Sequence, residues 1–308
     1  MAEEHATSYE VIDLLHMGRT ASVAACVLQT TEGPLVVDPG PASTLPNLRA
    51  GLARRGYDIG DLSGILLTHI HLDHAGGIGT LVRDNPRLRV FVHAHGAPHV
   101  IDPSKLLASA TRLYGNRMDE LWGEVAPVPR EQVASLQGGE RLALGGREIA
   151  VIYTPGHARH HVTYFEPETR VAFVGDSAGL MSPGLPCVLP VTPPPEFDLE
   201  AWLDSIHRIR MLDPAEIVLT HFGPSRDPAR HFEELRSGLL SWSEYARDSL
   251  SITGSDASRI AWFTSRLEEW IEGRVAPERA RKFLASAAPD ACWHGLSRYW
   301  SRAAPARS

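Results

Sequence analysis

The sequence predicts an α+β fold, with a core of strands and helices up to about residue 224 and a helical region after it. In the core, short apolar or β-branched runs are separated by glycine and proline, which is typical of strands and turns. After Pro224 the apolar residues recur at helical spacing, and five of the seven tryptophans fall there. We therefore predict a core of residues 1–224, with helices inserted at about 97–137, and a C-terminal helical region of residues 225–308.

The first part of the core is predicted to be a β meander that leads into alternating helices and strands. Three runs separated by glycine or proline turns indicate the first strands: Tyr9–His16, Ser22–Thr30 and Pro34–Asp38. Leucines at i, i+3 and i+7 give residues 43–55 the period of an amphipathic helix. A strand at 65–68, a helix at 75–83 and a strand at 90–93 are expected next.

The second part of the core begins with a change of pattern at about residue 97. Asp102, Pro103 and Ser104 resemble a helix start, so we expect two or three inserted helices before residue 138. Three strands are expected next, at Arg147–Tyr153, Val162–Glu166 and Val171–Val174. The proline-rich segment Leu185–Pro195 is expected to be a loop across the surface. A helix at Ala201–Met211 and a strand at Ile217–Thr220 complete the predicted core. In the C-terminal region the predicted helices are 229–250, 256–272 and 276–286.

Composition and charge exclude several classes of protein. The 308 residues carry a net charge of −7 without a cluster of lysine or arginine, so we expect no nucleic-acid partner and no membrane partner. The longest apolar runs are shorter than the ~20 residues of a membrane helix. The acidic start Met1–His5 leads into no apolar stretch, so no secretory signal is expected. Three widely spaced cysteines indicate reduced thiols in a cytoplasmic protein: Cys26, Cys187 and Cys292.

The segment THIHLDHAGG at 68–77 holds four potential metal ligands within six positions: His69, His71, Asp73 and His74. The first three alternate, so an extended backbone would place them on one side. A turn into the helix predicted from Ala75 would bring the fourth to a neighbouring position, and Gly76 and Gly77 would let the backbone approach a compact neighbour. Because imidazole and carboxylate are ligands for zinc or iron, the segment predicts a platform for two adjacent ions. An exposed polar loop is the alternative.

Three further candidate ligands each follow a predicted strand. His157 ends Thr-Pro-Gly-His after the strand at 147–153, Asp176 lies in Gly-Asp-Ser after the strand at 171–174, and His221 follows Thr220 after the last strand. Functional side chains commonly lie at strand ends, where loops are presented on a rigid scaffold. Four such events in one chain favour a single shared site over chance.

These motifs, in this order, resemble the metallo-β-lactamase superfamily. The resemblance rests on the His-x-His-x-Asp-His cluster, the TPGH histidine, the GD aspartate, the TH histidine and a turn at Val37–Gly40, where the superfamily has a structural aspartate. It covers roughly residues 8–223. It implies a four-layer αββα sandwich, in which two mixed sheets pack together with helices outside and the site lies along one edge.

The resemblance also implies a dinuclear metal site. One ion would be bound by His69, His71 and His157, the second by Asp73, His74 and His221, and Asp176 would bridge both. That arrangement leaves room for a shared water, whose pKa falls between two cations so that hydroxide becomes available. We expect two divalent ions per chain, zinc before iron or manganese, with a mononuclear site as the alternative.

The motifs also bear on the branch of the superfamily. The cluster HIHLDH differs from the HxExD of flavodiiron oxidoreductases, and the chain has no basic insert like those of the RNA-processing members. The segment Gly156–His161 resembles the GHTPGH of glyoxalase-II-like thioesterases and of acyl-homoserine lactonases. Arg159 and His160 depart from it, because those families carry proline and glycine there. The C-terminal helices resemble the arrangement of glyoxalase II, in which a helical part helps to hold the substrate.

We therefore predict a dinuclear metal-dependent hydrolase that cleaves a thioester, ester or lactone in a small-molecule substrate. A metal-bridging hydroxide would attack the carbonyl, and Asp73 is the predicted catalytic residue, placed to pass on a proton. Two alternatives stay open on the same residues. One is a phosphodiesterase that uses both metals, and the other is a mononuclear iron dioxygenase that acts on persulfides.

Other residues are candidates for supporting roles. His160 and Tyr114 are the candidates for substrate binding, the first through proton transfer or hydrogen bonding and the second as an oxyanion donor or acid. His161 is expected to begin the next strand. Three further histidines are expected to pack or to face solvent, because no carboxylate or cysteine partner accompanies them: His93, His95 and His99. The C-terminal tryptophans are expected to pack between helices; a substrate pocket or a homodimer surface is the alternative.

Overall fold

The structure of the protein is a computed structural model that describes residues 9–303. The acidic start Met1–His5, on which the expectation of no secretory signal rests, lies outside the described residues, as do the last five residues of the predicted helical region. Within residues 9–303, no helix is both long enough and apolar enough to cross a membrane. The three cysteines are free and buried, as the sequence predicted, whereas the cytoplasmic location stays a prediction.

The N-terminal part of the chain forms a mixed sheet of six strands that lie side by side in chain order. They are β1 (Tyr9–Asp13), β2 (Ala24–Leu28), β3 (Leu35–Val37), β4 (Gly64–Leu66), β5 (Arg89–His93) and β6 (Val133–Leu136). The first three pair antiparallel as a meander, and β3 to β6 pair parallel. Because β3 to β5 run in the same direction, the loops after them open at the same edge of the sheet.

The second sheet also has six strands, in the order β12, β11, β10, β9, β8 and β7. They are β7 (Arg141–Leu144), β8 (Arg147–Tyr153), β9 (Val162–Glu166), β10 (Val171–Phe173), β11 (Glu216–Leu219) and β12 (Gly223–Ser225). Only β10 and β11 pair parallel. The ends of β8, β10 and β11 carry the three candidate ligands that lie outside the histidine cluster.

The helices lie outside the two sheets, which gives the predicted four-layer αββα sandwich. Those of the core are α1 (Leu45–Ala53), α2 (Leu72–Ala75), α3 (Ile78–Asp84), α4 (Ala97–Ile101), α5 (Ser104–Tyr114), α6 (Met118–Trp122) and α7 (Leu199–Met211). Those after residue 224 are α8 (Pro228–Ser249), α9 (Asp256–Glu272), α10 (Pro277–Ser286) and α11 (Pro289–Ala303).

Alternation along the strands builds the layers. In β5, Phe91 packs between the two sheets, whereas Val90 and Val92 face the core shared with α1 and α3. On the outside of the second sheet, α7 packs together with the C-terminal helices in one continuous core that contains Trp202 and Trp242. Trp242, Trp270 and Trp293 of the C-terminal helices therefore serve helix packing. The division of the chain at residue 224 stays a prediction, because this core crosses it.

The structure corrects the sequence prediction at three strands and one loop. The predicted insertion at 97–137 contains α-helices only as far as Trp122 and ends in β6. The short edge strands β7 and β12 were not predicted, because their few alternating residues lie among glycines and prolines. The proline-rich loop does not run across the surface, since Leu189 and Thr192 are fully buried. Gly295 of α11 permits this burial: a Cβ there would come within 2.0 Å of the Thr192 carbonyl oxygen.

Candidate metal centre

The histidine cluster occupies the junction between β4 and α2. His71 is the N-cap of α2 with an extended backbone, and the helix begins at Leu72 rather than at Ala75 as predicted. His69 and His71 therefore belong to the extended segment, whereas Asp73 and His74 lie on the single turn of helix. Gly77 lets this turn pack closely, because its amide donates to the carbonyl of Gly40 at 2.9 Å and a Cβ would crowd Leu45.

The second sheet supplies the remaining candidate ligands at the same edge. His157 follows β8, Asp176 follows β10 and His221 follows β11, so their side chains converge on the cluster from the opposite side. Gly175 has a φ of +45°, and a Cβ there would meet the Thr68 hydroxyl at 2.4 Å. A glycine before Asp176 is thus required for the two sheets to approach this closely.

The structure brings all seven predicted ligands together. Their ligand atoms form three overlapping groups whose members lie within 4.8 Å of one another: His69, His71 and His157; His69, His74 and Asp176; and Asp73, His74 and His221. Asp176 lies between the first and last of these groups. Its Oδ2 is 3.4 Å from Nε2 of His157, and its Oδ1 is 3.2 Å from Nε2 of His74.

Hydrogen bonds at the rear of four imidazoles decide which nitrogen faces the centre. In each ring Nδ1 contacts an oxygen: Thr68 Oγ1 for His69 at 3.1 Å, Asp38 Oδ2 for His74 at 2.8 Å, the Val191 carbonyl for His157 at 2.7 Å and the Ser22 carbonyl for His221 at 2.7 Å. For the last three rings an N–H at Nδ1 donates, because a carbonyl or carboxylate oxygen has no proton to give. Nε2 is then the atom left for a metal, while His71 turns Nδ1 towards the same centre.

Asp38 organises the site from behind. It is completely buried and accepts hydrogen bonds from the backbone and hydroxyl of Thr68, from His74 and from the hydroxyl of Thr220. It thereby ties the cluster of the first sheet to the end of β11 in the second. The Val37–Gly40 turn, in which the superfamily has its structural aspartate, carries this contact in the structure.

Two buried polar atoms at the centre, Nε2 of His74 and Oδ1 of Asp176, lie 3.2 Å apart without forming a hydrogen bond of normal geometry with each other or with any other described residue. Such atoms are uncommon in native interiors and call for a missing partner such as an ion. Imidazole nitrogens and carboxylate oxygens are the donors that zinc and related divalent ions accept. The residues present therefore fit a divalent metal centre.

The protonation of the ligands divides the site into two halves. Burial and the neighbouring histidines lower the pKa of His69 well below its usual range and that of His71 to about 3, and burial also lowers the pKa of His157. Burial acts in the same direction on His74, but the carboxylates of Asp176, Asp38 and Asp73 outweigh it and raise that pKa well above its usual range. The three carboxylates thus hold a proton on one side of the site, while the first group stays neutral.

A cavity of about 1130 Å³ opens onto the candidate ligands. Tyr114 and His160, the predicted substrate-binding residues, both line it. The imidazole of His160 stacks nearly parallel to that of His69, with 6.0 Å between ring centroids, and its Nε2 lies 3.6 Å from a carboxylate oxygen of Glu196. Tyr114 makes an edge contact with Trp122, and burial, followed by the charge of Asp73, raises the pKa of its hydroxyl to about 12.

The other histidines behave largely as expected. His161 is fully buried, and Nε2 of its ring accepts a long hydrogen bond from the amide of Ser177 at 3.3 Å. His93 is buried and stacks on Tyr153, whereas His95 and His99 line the outer part of the cavity. None of these three belongs to a potential metal-binding group among the described residues.

The resemblance to glyoxalase II implied that the C-terminal helices help to hold the substrate, but the sequence did not indicate which of their residues reach this cavity. The residues that reach it are small and unremarkable ones at the junction of α10 and α11, together with Phe283 and Cys292: Ala285, Ser286, Ala287, Ala288 and Ala291. Alanines carry no sequence signal for binding, and the tryptophans that drew attention to this region lie elsewhere. Only the spatial arrangement identifies this wall.

Comparison with known proteins agrees with this geometry. Residues 19–221 match the family model described as the metallo-beta-lactamase superfamily. The chain belongs to the metallo-β-lactamase superfamily. The matched range includes all seven candidate ligands and both sheets apart from β1 and β12.

Three relatives illustrate where the chain lies within the superfamily. A metallo-β-lactamase fold-containing protein of Sulfurisphaera tokodaii is 32% identical over 165 residues, which are 53% of this chain and 61% of the relative. A hydroxyacylglutathione hydrolase of Synechococcus sp. strain JA-3-3Ab is 30% identical over 207 residues, 67% of this chain and 61% of the relative. That of Aeromonas hydrophila is 30% identical over 216 residues and 67% of both chains. The chain thus spans about three fifths of the length of the first two.

Solved structures extend the similarity beyond the matched range. A superfamily protein from the archaeon Sulfolobus tokodaii has a TM-score of 0.62 and 25% identity, and the alignment covers 89% of this chain and 98% of that one. A family protein from Thermus thermophilus has a TM-score of 0.70 at 22% identity and covers 96% of this chain and 94% of its own. Since 96% of the chain is aligned, the C-terminal helices belong to a fold shared with that protein.

Proposed function

We propose that the protein is a dinuclear metal-dependent hydrolase that cleaves thioesters. The observation that carries this proposal is the convergence of five histidines and two aspartates, with unpartnered Nε2 of His74 and Oδ1 of Asp176 at their centre. His69, His71 and His157 would hold one ion and Asp73, His74 and His221 the other, with Asp176 between them. When bound, two divalent ions supply an activated water at neutral pH and polarise the carbonyl of the substrate.

The thioester as substrate is supported by the relatives. Hydroxyacylglutathione hydrolases, named for the thioesters that they hydrolyse, match this chain at about 30% identity over two thirds of its length. Hydrolysis breaks the carbon–sulfur bond, adds water across it and yields a carboxylate and a thiol. Esters and lactones place a carbonyl in the same position, so they are the neighbouring substrate classes.

The residues of the chain account for the orientation and the proton transfer. Asp73 Oδ2 lies 3.3 Å from Nε2 of His221, and its side chain is partly exposed to the cavity. Burial raises the pKa of Asp73, but the cationic His74 and His221 outweigh burial and hold that pKa well below its usual range. Asp73 is therefore ionised, and with the ions bound it would accept a hydrogen bond from the attacking water, orient it and pass its proton on to the departing sulfur. Tyr114 stays protonated and faces the cavity as a donor for the substrate carbonyl.

A substrate panel with metal analysis tests the proposal. The protein is purified without added metal, its metal content is measured, and samples loaded with Zn²⁺, Fe²⁺ or Mn²⁺ are given an S-(2-hydroxyacyl)glutathione, a lactone and a bis-aryl phosphate. We expect two ions per chain and release of thiol from the thioester. Asp73→Asn is expected to lower thioester turnover about a hundredfold or more without loss of the fold.

The alternatives give distinct outcomes in the same experiment. Hydrolysis of the bis-aryl phosphate without thioester turnover would identify a phosphodiesterase. One iron per chain with oxygen consumption in the presence of a persulfide would identify a dioxygenase. Either result would replace the proposed function.

A further inference from the structure

We infer that the substrate is amphiphilic: an apolar group lies against the α10–α11 wall of the cavity, and an anionic group pairs with Lys105 and Arg19 at its opening. The juxtaposition of two unlike walls around the candidate ligands carries this inference, which rests on the proposed function. The inference concerns the parts of the substrate on either side of the carbonyl. It can therefore be wrong even if the proposed hydrolase activity is correct.

The size and lining of the cavity indicate a large apolar group. About 1130 Å³ exceeds the roughly 300–1,000 Å³ typical of small-ligand sites and is far more than a hydroxyacyl group fills. Most side chains of the α10–α11 wall are short and apolar, and the wall is defined here as Phe283, Ala285, Ser286, Ala287, Ala288, Ala291 and Cys292. Leu106 and Leu113 of α5 also line the cavity, and Leu113 is 44% exposed. An apolar chain of several carbons would cover these side chains and exclude water from them.

The opening of the cavity carries positively charged side chains, whereas the protein as a whole is negatively charged. The chain carries a net charge of −7, yet among the described side chains the charged ones that line the cavity besides the ligands are Arg19, Lys105 and Glu196. Arg19 and Lys105 are exposed and form no ion pair among the described residues. Glu196 is already engaged, because it accepts a hydrogen bond from the amide of Arg159 and lies beside His160. Two unpaired cations on an acidic protein would attract a carboxylate or phosphate on the substrate.

Matched variants test each wall with substrates of defined structure. The substrates are acetyl and octanoyl thioesters of mercaptosuccinate, which carries two carboxylates, and of the neutral N-acetylcysteamine. For the apolar wall, Ala291→Leu is compared with Ala261→Leu, which lies on the exposed face of α9 outside the cavity. Ala285→Leu is a second substitution that fills space in the cavity, at an exposed position. The test therefore does not depend on correct folding of the Ala291→Leu protein alone.

For the cationic opening, Lys105→Glu is compared with Arg112→Glu. Arg112 is an exposed residue of the same helix that does not line the cavity, so both variants change the net charge by the same amount. A general effect of charge would lower activity in both variants. Specific pairing of Lys105 with the anionic group of the substrate would affect only Lys105→Glu.

The expected results are differences in kcat/KM. In the wild type we expect octanoyl to exceed acetyl by at least tenfold, since each buried methylene contributes about a factor of four. Ala291→Leu should lower the octanoyl value at least tenfold and the acetyl value less than twofold. Lys105→Glu should lower the mercaptosuccinate values about tenfold and the N-acetylcysteamine values less than twofold. Ala261→Leu and Arg112→Glu should match the wild type.

Binding of a compound that cannot be hydrolysed separates the two proposals. S-octyl-mercaptosuccinate is a thioether that lacks the thioester carbonyl, and its Kd is measured by calorimetry against that of S-methyl-mercaptosuccinate. Tighter binding of the octyl compound, weakened at least tenfold by Ala291→Leu and by Lys105→Glu, would support the inference even if no thioester were hydrolysed, which would refute the proposed function alone. Equal turnover of acetyl and octanoyl thioesters, or equal binding of both thioethers, would overturn the inference while thioester hydrolysis stood.

Discussion

The two ends of the metal centre use the same residue type in different states. His69, His71 and His157 are buried among one another and have lowered pKa values, so they present neutral nitrogens. His74 is fully buried and His221 mostly buried, but both face carboxylates, which raise their pKa values above the usual range. Burial pushes all five in one direction, and the position of the aspartates decides which of them keeps a proton.

Because of this difference in protonation, two ions would bind to the two groups by different routes. The neutral group offers three free electron pairs and needs no proton to leave. In the second group the raised pKa values keep protons on His74 and His221, and a binding ion must displace these protons. We therefore expect the first group to be occupied at lower pH and lower metal concentration.

Removal of the carboxylate between the two groups should have the largest effect. Asp176→Asn preserves shape but removes the charge that faces His157 on one side and His74 on the other. We expect thioester turnover to fall by roughly a thousandfold or more and the metal content to fall below two ions per chain.

The matched control for Asp176→Asn is Glu166→Gln. Glu166 is a buried carboxylate of the same sheet that pairs with Arg147 outside the site. It should lose stability and keep its turnover per folded protein. Full activity of Asp176→Asn with two bound ions would contradict the assignment of the bridging position.

The sequence was most informative where one short segment holds several ligands. The alternation of His69 and His71, and the placement of His157, Asp176 and His221 after strands, follow from local patterns that survive into the structure. The protonation difference was beyond sequence reasoning, because it depends on Asp38, which is close to His74 only through the pairing of β3 with β4. The α10–α11 wall was equally hidden, since an alanine is identified as part of a binding surface only by what lies opposite to it.

The pH dependence of metal binding tests the difference in protonation directly. The raised pKa of His74 means that this residue is protonated at neutral pH in the metal-free protein, so a bound ion must release that proton. The affinity for the second ion should fall about tenfold per pH unit for each released proton as pH decreases, or about a hundredfold over two pH units. The first ion should show little dependence, because its histidines are already neutral.

Competition with a chelator at three pH values, and calorimetry in two buffers that differ in ionisation enthalpy, measure this dependence. The calorimetric difference between buffers counts the protons released by each ion. Release of the same number of protons by both ions would show that the two ligand groups do not differ in protonation.

Weakening the support of His74 should affect the second ion more than the first. Asp38→Asn replaces an acceptor of four hydrogen bonds by an amide that must present an N–H to at least one donor. We expect the affinity for the second ion to fall roughly 10- to 100-fold, as for other residues that orient metal ligands. Asp61→Asn, a turn residue that accepts the amide of Asp58, is the control and should leave metal binding unchanged. An equal loss at both ions would indicate a general loosening of the two sheets.

The smallest effect is expected from Tyr114, which lies in the cavity near Asp73 but makes no hydrogen bond with any described residue. Its hydroxyl stays protonated because burial and the charge of Asp73 raise its pKa to about 12, so it has a proton to donate and no protein acceptor. Tyr114→Phe should therefore lower kcat/KM about three- to tenfold, as for the loss of one hydrogen bond to the substrate, and leave metal content and melting temperature unchanged. Tyr245→Phe in α8, which does not line the cavity, should match the wild type. If Tyr114→Phe instead reduced the metal content, the hydroxyl would belong to the second metal group, and Tyr114 would be a metal ligand rather than a substrate-binding residue.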